Sequence, residues 1–282
     1  MGDERRVALV TGAARGIGRA VALTLAEEAV DIVINDVAGG DDAEDVAREV
    51  RARGRDAMIS EVDVADRDAV REMIDAAVAR FGRLDVVVTS HAWSVREPIL
   101  DADWEGMQRT LEVMQMGVVH VVQLAVQQMA RQEPIGESRG KIVLVGSVRA
   151  FLPIAGSAAY NMAKAATSHF AKTIATELAP KHINVNLVNP GWVDTPGERK
   201  YYTEAELRAA GAATIPWGRL ATCEDVAKAV RFLVSRDADY ITGAELLIDG
   251  GFVLGMDRYE GLDEAADRDR PAADDFTGSD RS

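Results

Sequence analysis

Cysteine occurs once in this chain of 282 residues, at Cys223. A single thiol excludes an intramolecular disulfide framework and any thiolate cluster for zinc or for iron and sulfur. Cys223 lies in Thr222-Cys-Glu-Asp225, which reads as a helix start with Thr222 as cap and Asp225 three residues on, a structural setting. The four histidines, His91, His120, His169 and His182, are scattered without ligand spacing, so no metal is expected. Apolar runs of the ~18 to 20 residues that a membrane span needs are missing, and Met1 to Arg6 is too polar for a secretory signal. The expectation is a soluble, cytoplasmic protein. Positive charge is in short supply: 32 Lys and Arg face 46 Asp and Glu, a formal net charge of -14. Nucleic acid and anionic membrane would be repelled and are not expected as partners.

The chain is 48% hydrophobic and 28% charged, enough to bury one large α/β core. Short apolar runs alternate with segments of helical pattern. Val7 to Val10, Asp31 to Asp36, Ala57 to Ser60, Leu84 to Val88, Lys141 to Gly146, Ile183 to Val188 and Ala244 to Ile248 read as strands. Helical patterns fill the gaps: Arg19 to Glu28, Asp41 to Arg53, Asp66 to Phe81, a long helix within Asp101 to Arg131, a helix running on to about Ala179, Glu204 to Ala210, and Glu224 to Ser235. This alternation predicts a single-domain, Rossmann-like doubly wound parallel sheet of about seven strands with helices on both faces. Residues 1–256 form that domain; Asp257 to Ser282, rich in acids with little to bury, reads as a mobile acidic tail. The weakly patterned stretch from about residue 193 to 218 suits a lid over a substrate.

The first strand runs into Thr11-Gly-Ala-Ala-Arg-Gly-Ile-Gly18 and then a helix. Glycines at Gly12, Gly16 and Gly18 let a dinucleotide pyrophosphate approach the backbone at a helix N-terminus, with Arg15 and Ile17 in the same turn. Asp36 ends the second strand, where a carboxylate accepts hydrogen bonds from the adenosine ribose and repels a 2′-phosphate, so NAD is expected over NADP. Arg15 points the other way, since a cation there can pair with a 2′-phosphate. Asp36 outweighs it, because an unneutralised carboxylate at the ribose is a direct penalty whereas an arginine at the rim can face solvent. Asp63, after the third strand, is placed to meet the adenine amino group.

Ser147 follows the fifth strand, and Tyr160 and Lys164 sit four apart in the helix after it. That spacing puts a phenol and an ammonium on one helix face, where the positive charge is expected to lower the phenol pKa and make Tyr160 an acid or base near neutrality. Ser147 can hold a substrate oxygen beside the phenol. Asn189-Pro-Gly-Trp-Val-Asp-Thr-Pro196 cannot be helical and reads as a loop at the sixth strand's C-terminal end, the edge where open parallel sheets bind ligands.

With these motifs in order the chain resembles the short-chain dehydrogenase/reductase family over roughly Arg5 to Phe252. The matching elements are Thr11 to Gly18, Asp63-Val64, Ser147 with Tyr160-Asn-Met-Ala-Lys164, Asn189-Pro-Gly191 with Thr195, and Asp249-Gly-Gly251. The resemblance implies that Ser147 positions the reacting oxygen, that Tyr160 is the catalytic acid or base, and that Lys164 holds the nicotinamide ribose. It implies that Val193 and Thr195 meet the nicotinamide carboxamide and that Val64, Ser90, Pro190 and Gly191 line the cofactor. It also implies a homotetramer or homodimer built on the Asp101 to Arg131 and Ser157 to Ala179 helices; the apolar positions Val122, Met129, Phe170 and Ile174 suit either such an interface or the core.

Two stretches depart from the family pattern. Thr89-Ser-His-Ala92 stands where Asn-Asn-Ala-Gly is usual, and His91 either reshapes the pocket or packs under the sheet edge. The helix asparagine of the family's proton relay is missing, with Met114 or Leu111 at its place. The function expected is an NAD-dependent oxidoreductase interconverting a secondary alcohol (a sugar, polyol or cyclic alcohol) and a ketone. The alternatives are reduction of a 3-oxoacyl thioester, and an NAD-binding protein with little or no catalysis. Trp93, Arg96, Arg149, Phe151, Trp192, Tyr201, Tyr202 and Trp217 are candidates for the substrate wall, and the two arginines leave room for an anionic group.

Overall fold

A computed structural model of the protein describes residues 5–37, 40–200 and 202–255. Tyr201 and the acidic segment from Asp257 to Ser282 lie outside the described residues. Seven strands form one sheet: β1 (Arg6–Thr11), β2 (Val30–Asp36), β3 (Ala57–Glu61), β4 (Val86–Thr89), β5 (Gly140–Val145), β6 (Ile183–Pro190) and β7 (Glu245–Ile248). Their order is β3-β2-β1-β4-β5-β6-β7 and every pairing is parallel. The chain reverses direction across the sheet between β1 and β4. Ligands of such sheets bind in the crevice at this switch point, beyond the strands' C-terminal ends.

The strands are apolar on both faces because helices cover both. Ala8 and Val10 of β1 face one layer, built from α1 (Gly16–Glu27), α2 (Gly40–Ala52) and the helix over Cys223–Val234. Val7 and Leu9 face the other layer, with α3 (Arg67–Phe81) and two of the longer helices that follow. The side-chain period of two therefore splits one apolar run between two cores.

The long helix expected over Asp101 to Arg131 is interrupted. It comprises α4 (Trp104–Leu111), a π-helical turn (Glu112–Met116) and α5 (Gly117–Met129). At the junction the Gly117 N–H bonds the Glu112 carbonyl, five residues back, instead of that of Val113. Val118, Val122, Ala125 and Met129 are all buried, so the apolar stripe of α5 is core. Phe170 and Ile174 of α6 (Ala158–Leu178) pack against the same core, which assigns the four positions weighed for an interface to packing inside the chain. The exposed large apolar side chains of these elements are instead Trp104, Met116 and Met162.

Strand β6 also runs two residues further than its alternating pattern, with Asn189 and Pro190 paired to Leu247 and Ile248. The loop after it leads to α7 (Glu204–Thr214) and α8 (Cys223–Val234), each opened by a capping box, Thr203 with Glu206 and Thr222 with Asp225. The short α9 (Phe252–Gly255) ends the described chain. Among the described residues no helix is long and apolar enough to cross a membrane.

The turn from β1 into α1 depends on a close approach. A Cβ on Gly18 would lie 2.1 Å from the Gly12 carbonyl oxygen, which is fixed backbone. Helix propensity favours alanine over glycine by only ~1 kcal/mol, whereas forcing atoms into a packed site costs ~1 to 3 kcal/mol or more. The clash wins: Gly18→Ala is expected to lower the unfolding free energy in urea by about 2 kcal/mol. Equal or higher stability would contradict this packing.

Candidate active site

The C-terminal ends of β1, β2, β3, β4, β5 and β6 bring Gly12, Asp36, Asp63, Ser90, Ser147 and Gly191 to one edge of the sheet. Gly12 and Gly16 both have positive φ, 65° and 57°, and a Cβ on Gly12 would meet the His91 Cα at 2.7 Å. Arg15 precedes α1 in extended conformation and offers no side-chain cap, and the first turn of α1, with Gly16, Ile17 and Gly18, carries no acid. By contrast α3, α7 and α8 are capped by Asp66, Thr203 and Thr222. The uncapped N–H groups and the helix dipole make the α1 turn an anion cradle. Pro196, from the loop after β6, comes within 3.9 Å of a Cβ built on Gly16, so that loop lies over the cradle.

Asp36 accepts hydrogen bonds from the Ala14 N–H at 3.2 Å and the Val37 N–H at 2.9 Å, which holds its carboxylate at the rim of the cradle. Asp63 is more engaged than its sequence position suggested. Burial works against its ionisation, but the Ala65 N–H and the Arg109 guanidinium outweigh that and hold its pKa below the usual carboxylate range.

Ser147 and Lys164 are buried and Tyr160 is partly exposed beside them. The Ser147 N–H donates to the Asn189 side-chain oxygen at 3.0 Å, and its hydroxyl accepts from the Arg149 N–H at 3.1 Å. Asn189 thereby ties the ends of β5 and β6 together. The Lys164 ammonium donates to the Val145 carbonyl at 2.6 Å and lies 5.7 Å from the centre of the Tyr160 ring. Burial depresses the Lys164 pKa to about 8. The expected lowering of the Tyr160 pKa is not what the chain alone produces. Burial raises it, opposed by the Ser147 hydroxyl and by the positive charges of Arg149 and Arg96. Desolvation of a phenolate outweighs these partners.

His91 packs under the sheet edge. Its Nδ1 lies 2.6 Å from the Thr11 hydroxyl and its Nε2 3.1 Å from the Val113 carbonyl. A carbonyl can only accept, so Nε2 carries the proton and the Thr11 hydroxyl donates to Nδ1, while that same oxygen accepts from the Ser90 N–H at 3.2 Å. His91 therefore captures the carbonyl that the π turn releases and joins β1, β4 and the π turn. Burial, then the nearby Lys164 charge, pushes its pKa down to about 4. Met114, at one of the two places considered for the relay asparagine, has its sulfur 3.2 Å from the Trp93 N–H.

On the substrate side, Arg149 occupies a 3₁₀ turn directly after Ser147. Arg96 pairs with Glu198 at 2.5 Å, and the Trp192 indole N–H donates to the same carboxylate at 3.2 Å. Trp192 also meets the Tyr202 ring edge-on at 5.9 Å and packs beside a small cluster of Val148, Leu207, Ile215, Leu220 and Phe252. This cluster anchors α7 beside the loop after β6. Val193 is buried and bridges to Ala221, and Thr195 accepts a hydrogen bond from the Glu198 N–H. Trp93, Phe151 and Trp217 are exposed, and the Trp217 Cβ lies 2.9 Å from where a Cβ on Gly250 would be.

Asn189 entered the sequence reading only as part of the Asn189-Pro-Gly191 motif, with no role of its own, and Glu198 was not singled out. The signal for Asn189 was its place at the end of β6; for Glu198, in an irregular loop, there was none. Among the described residues no group of three His, Cys, Asp or Glu is placed to hold a metal ion.

The sequence pattern of the family described as "Enoyl-(Acyl carrier protein) reductase" matches residues 12–253. The chain is 40% identical over 248 residues to the cis-4-hydroxycyclohexanecarboxylate dehydrogenase of Sinomonas cyclohexanicum, covering 88% of this chain and 96% of that protein. It is 36% identical over 254 residues to a 3-oxoacyl-(acyl-carrier-protein) reductase of Staphylococcus aureus, covering 88% and 98%. The crystal structure of an acetoin dehydrogenase from Salmonella typhimurium superposes with a TM-score of 0.81 at 30% identity, covering 90% of this chain and 98% of that one.

The neutral His91 bridge has a consequence for stability. Its pKa is near 4 when folded and ~6.5 when unfolded, so the unfolded chain binds more protons between those values and stability falls as pH drops through that window. Between pH 7 and pH 5 the wild type is expected to lose about 2 kcal/mol more than His91→Gln in denaturant unfolding. Equal losses would show that the ring is not held neutral.

Proposed function

The chain belongs to the short-chain dehydrogenase/reductase family, and on that premise we propose that it is an NAD-dependent oxidoreductase interconverting a secondary alcohol and a ketone, with Tyr160 as acid and base. The single observation that carries this reading is the meeting of Ser147, Tyr160 and Lys164 at the sheet edge beside the uncapped α1 turn. The residues suit a dinucleotide. Gly12, Arg15, Gly16, Ile17 and Gly18 offer backbone N–H groups to a pyrophosphate, and a Cβ at Gly12 or Gly18 would strike backbone there. Asp36 would take the adenosine ribose hydroxyls, and its charge favours NAD over NADP. Asp63 and Val64 would border the adenine, with Arg109 beside the Asp63 carboxylate. Ser90, Pro190 and Gly191 would line the cofactor, Val193 and Thr195 would meet the carboxamide, and Lys164 the nicotinamide ribose.

When bound, the nicotinamide supplies the hydride acceptor or donor. The chain's own residues handle the proton. Ser147 holds the substrate oxygen against the Tyr160 phenol, and Tyr160 removes the hydroxyl proton in oxidation or returns it in reduction. Lys164, buried and charged below about pH 8, supplies positive charge at the phenol's side of the site. The substrate class is a cyclic alcohol, polyol or sugar. Support comes from the aromatic side chains Trp93, Phe151, Trp192 and Tyr202 around the cleft and from the Sinomonas relative, which by its name acts on a substituted cyclohexanol. Reduction of a 3-oxoacyl thioester is the second reading, favoured by the Staphylococcus relative and disfavoured by the charge of -14 against an acidic carrier. The working unit is proposed as a homotetramer or homodimer, with Trp104, Met116 and Met162 available on the outer helices.

Two measurements test this. Tyr160→Phe is expected to lower kcat by roughly 100-fold or more while NADH affinity stays within about threefold, since only the proton transfer is removed. Retained turnover would move the acid–base role to another residue. In fluorescence titrations NADH is expected to bind at least tenfold tighter than NADPH, and Asp36→Ala to erase most of that ratio; a preference for NADPH in the wild type would transfer the decisive role to Arg15.

A further inference from the structure

Arg149 stands apart from the other cations of the cleft. Its turn is rigid: the Ala150 N–H bonds the Ser147 carbonyl at 3.0 Å, and the Phe151 and Leu152 N–H groups both reach the Val148 carbonyl, at 3.2 and 2.8 Å. Val148 is buried beneath it. The guanidinium is half-buried and interacts electrostatically with Tyr160, Arg96 and Glu198. Yet among the described residues no acceptor hydrogen-bonds it and no carboxylate lies within ion-pair distance. Its neighbours are matched: Glu198 is held by Arg96 and by the Trp192 indole, and Arg199 pairs with Asp194. In a chain with this excess of acid, a half-buried arginine left without a carboxylate is a site that an incoming anion completes.

We propose that the Arg149 guanidinium anchors a carboxylate carried by the substrate, so that the alcohol oxidised at Ser147 and Tyr160 is a hydroxy acid whose carboxylate lies away from the reacting carbon. This rests on the dehydrogenase reading above. A single unmatched guanidinium suits a monoanion; a phosphate dianion would leave charge uncompensated in a strongly acidic protein. The planar fork of the guanidinium matches a carboxylate with two parallel hydrogen bonds, which a lysine cannot reproduce. Phe151, which closes the turn that carries Arg149, leaves its ring half exposed and suits the hydrocarbon body of such an acid.

The test is calorimetric binding of cyclohexanecarboxylate and of cyclohexanecarboxamide to the full chain, with and without NADH. These probes have the same shape and differ in charge. The wild type is expected to bind the carboxylate at least tenfold tighter than the amide. Arg149→Met should bring the ratio to about one, and Arg149→Lys should keep part of it, which guards against a variant that merely misfolds. An equal affinity for the two probes in the wild type, no binding of the carboxylate at millimolar concentration, or a ratio unchanged in Arg149→Met would each overturn the assignment. The readout needs no turnover: a carboxylate preference that depends on Arg149 in a protein with no dehydrogenase activity would sustain the subsite and sink the reaction.

Discussion

A buried ammonium ion is the constraint around which this site is arranged. Lys164 is buried and donates to the Val145 carbonyl, and burial brings its pKa down to about 8. That hydrogen bond comes from the last residue of β5, so the cation is tied to the strand that presents Ser147 two residues later. The same charge helps keep His91 neutral, and neutral His91 is what bridges Thr11, at the end of β1, to the π turn. Burial is the larger cause of the neutral His91, and the Lys164 charge adds to it, so the two buried groups are electrostatically linked. Removing the charge would loosen more than the residue that carries it.

Much of the fold was legible because each strand is short, apolar and followed by a turn at its C-terminal end. The alternation of strand and helix allows a parallel sheet, and the doubled apolar faces of β1 and β5 require helices on both sides. The strand order, with its reversal between β1 and β4, comes from the three-dimensional structure and not from that alternation. The capping of α8 at Thr222 was readable too, since the residues that satisfy the free N–H groups are three apart in sequence. What sequence could not give was the break in the long helix. Its cause is a histidine 22 residues away whose ring takes the Val113 carbonyl, and a glycine whose Cβ would lie 2.7 Å from a Val64 methyl. Contacts of that range leave no periodic trace.

The site divides in the same way. Spacing was enough to group Ser147, Tyr160 and Lys164 and to mark the glycine turn, and the structure brings these residues to one edge of the sheet. The direction of the Tyr160 shift was not legible, because a four-residue spacing fixes adjacency and not how deeply the phenol is buried. The role of Asn189 in holding the Ser147 backbone was not legible, since a strand-end amide looks like any other. Arg149 was visible as a candidate, but whether a cation is matched depends on every acid that folds near it. Glu198 belongs to Arg96, and only three-dimensional structure distinguishes the two arginines.

The central claim is that a proton held at Tyr160 governs hydride transfer. The most direct measurement is the single-turnover rate of oxidation of an accepted secondary alcohol by NAD-saturated protein from pH 6 to 10, compared for carbinol C–H and C–D substrates. The account predicts a rate that climbs about tenfold per pH unit until the phenol ionises and then levels off, with a deuterium effect present throughout. A full deuterium effect on a rate that stays flat across that range would contradict it.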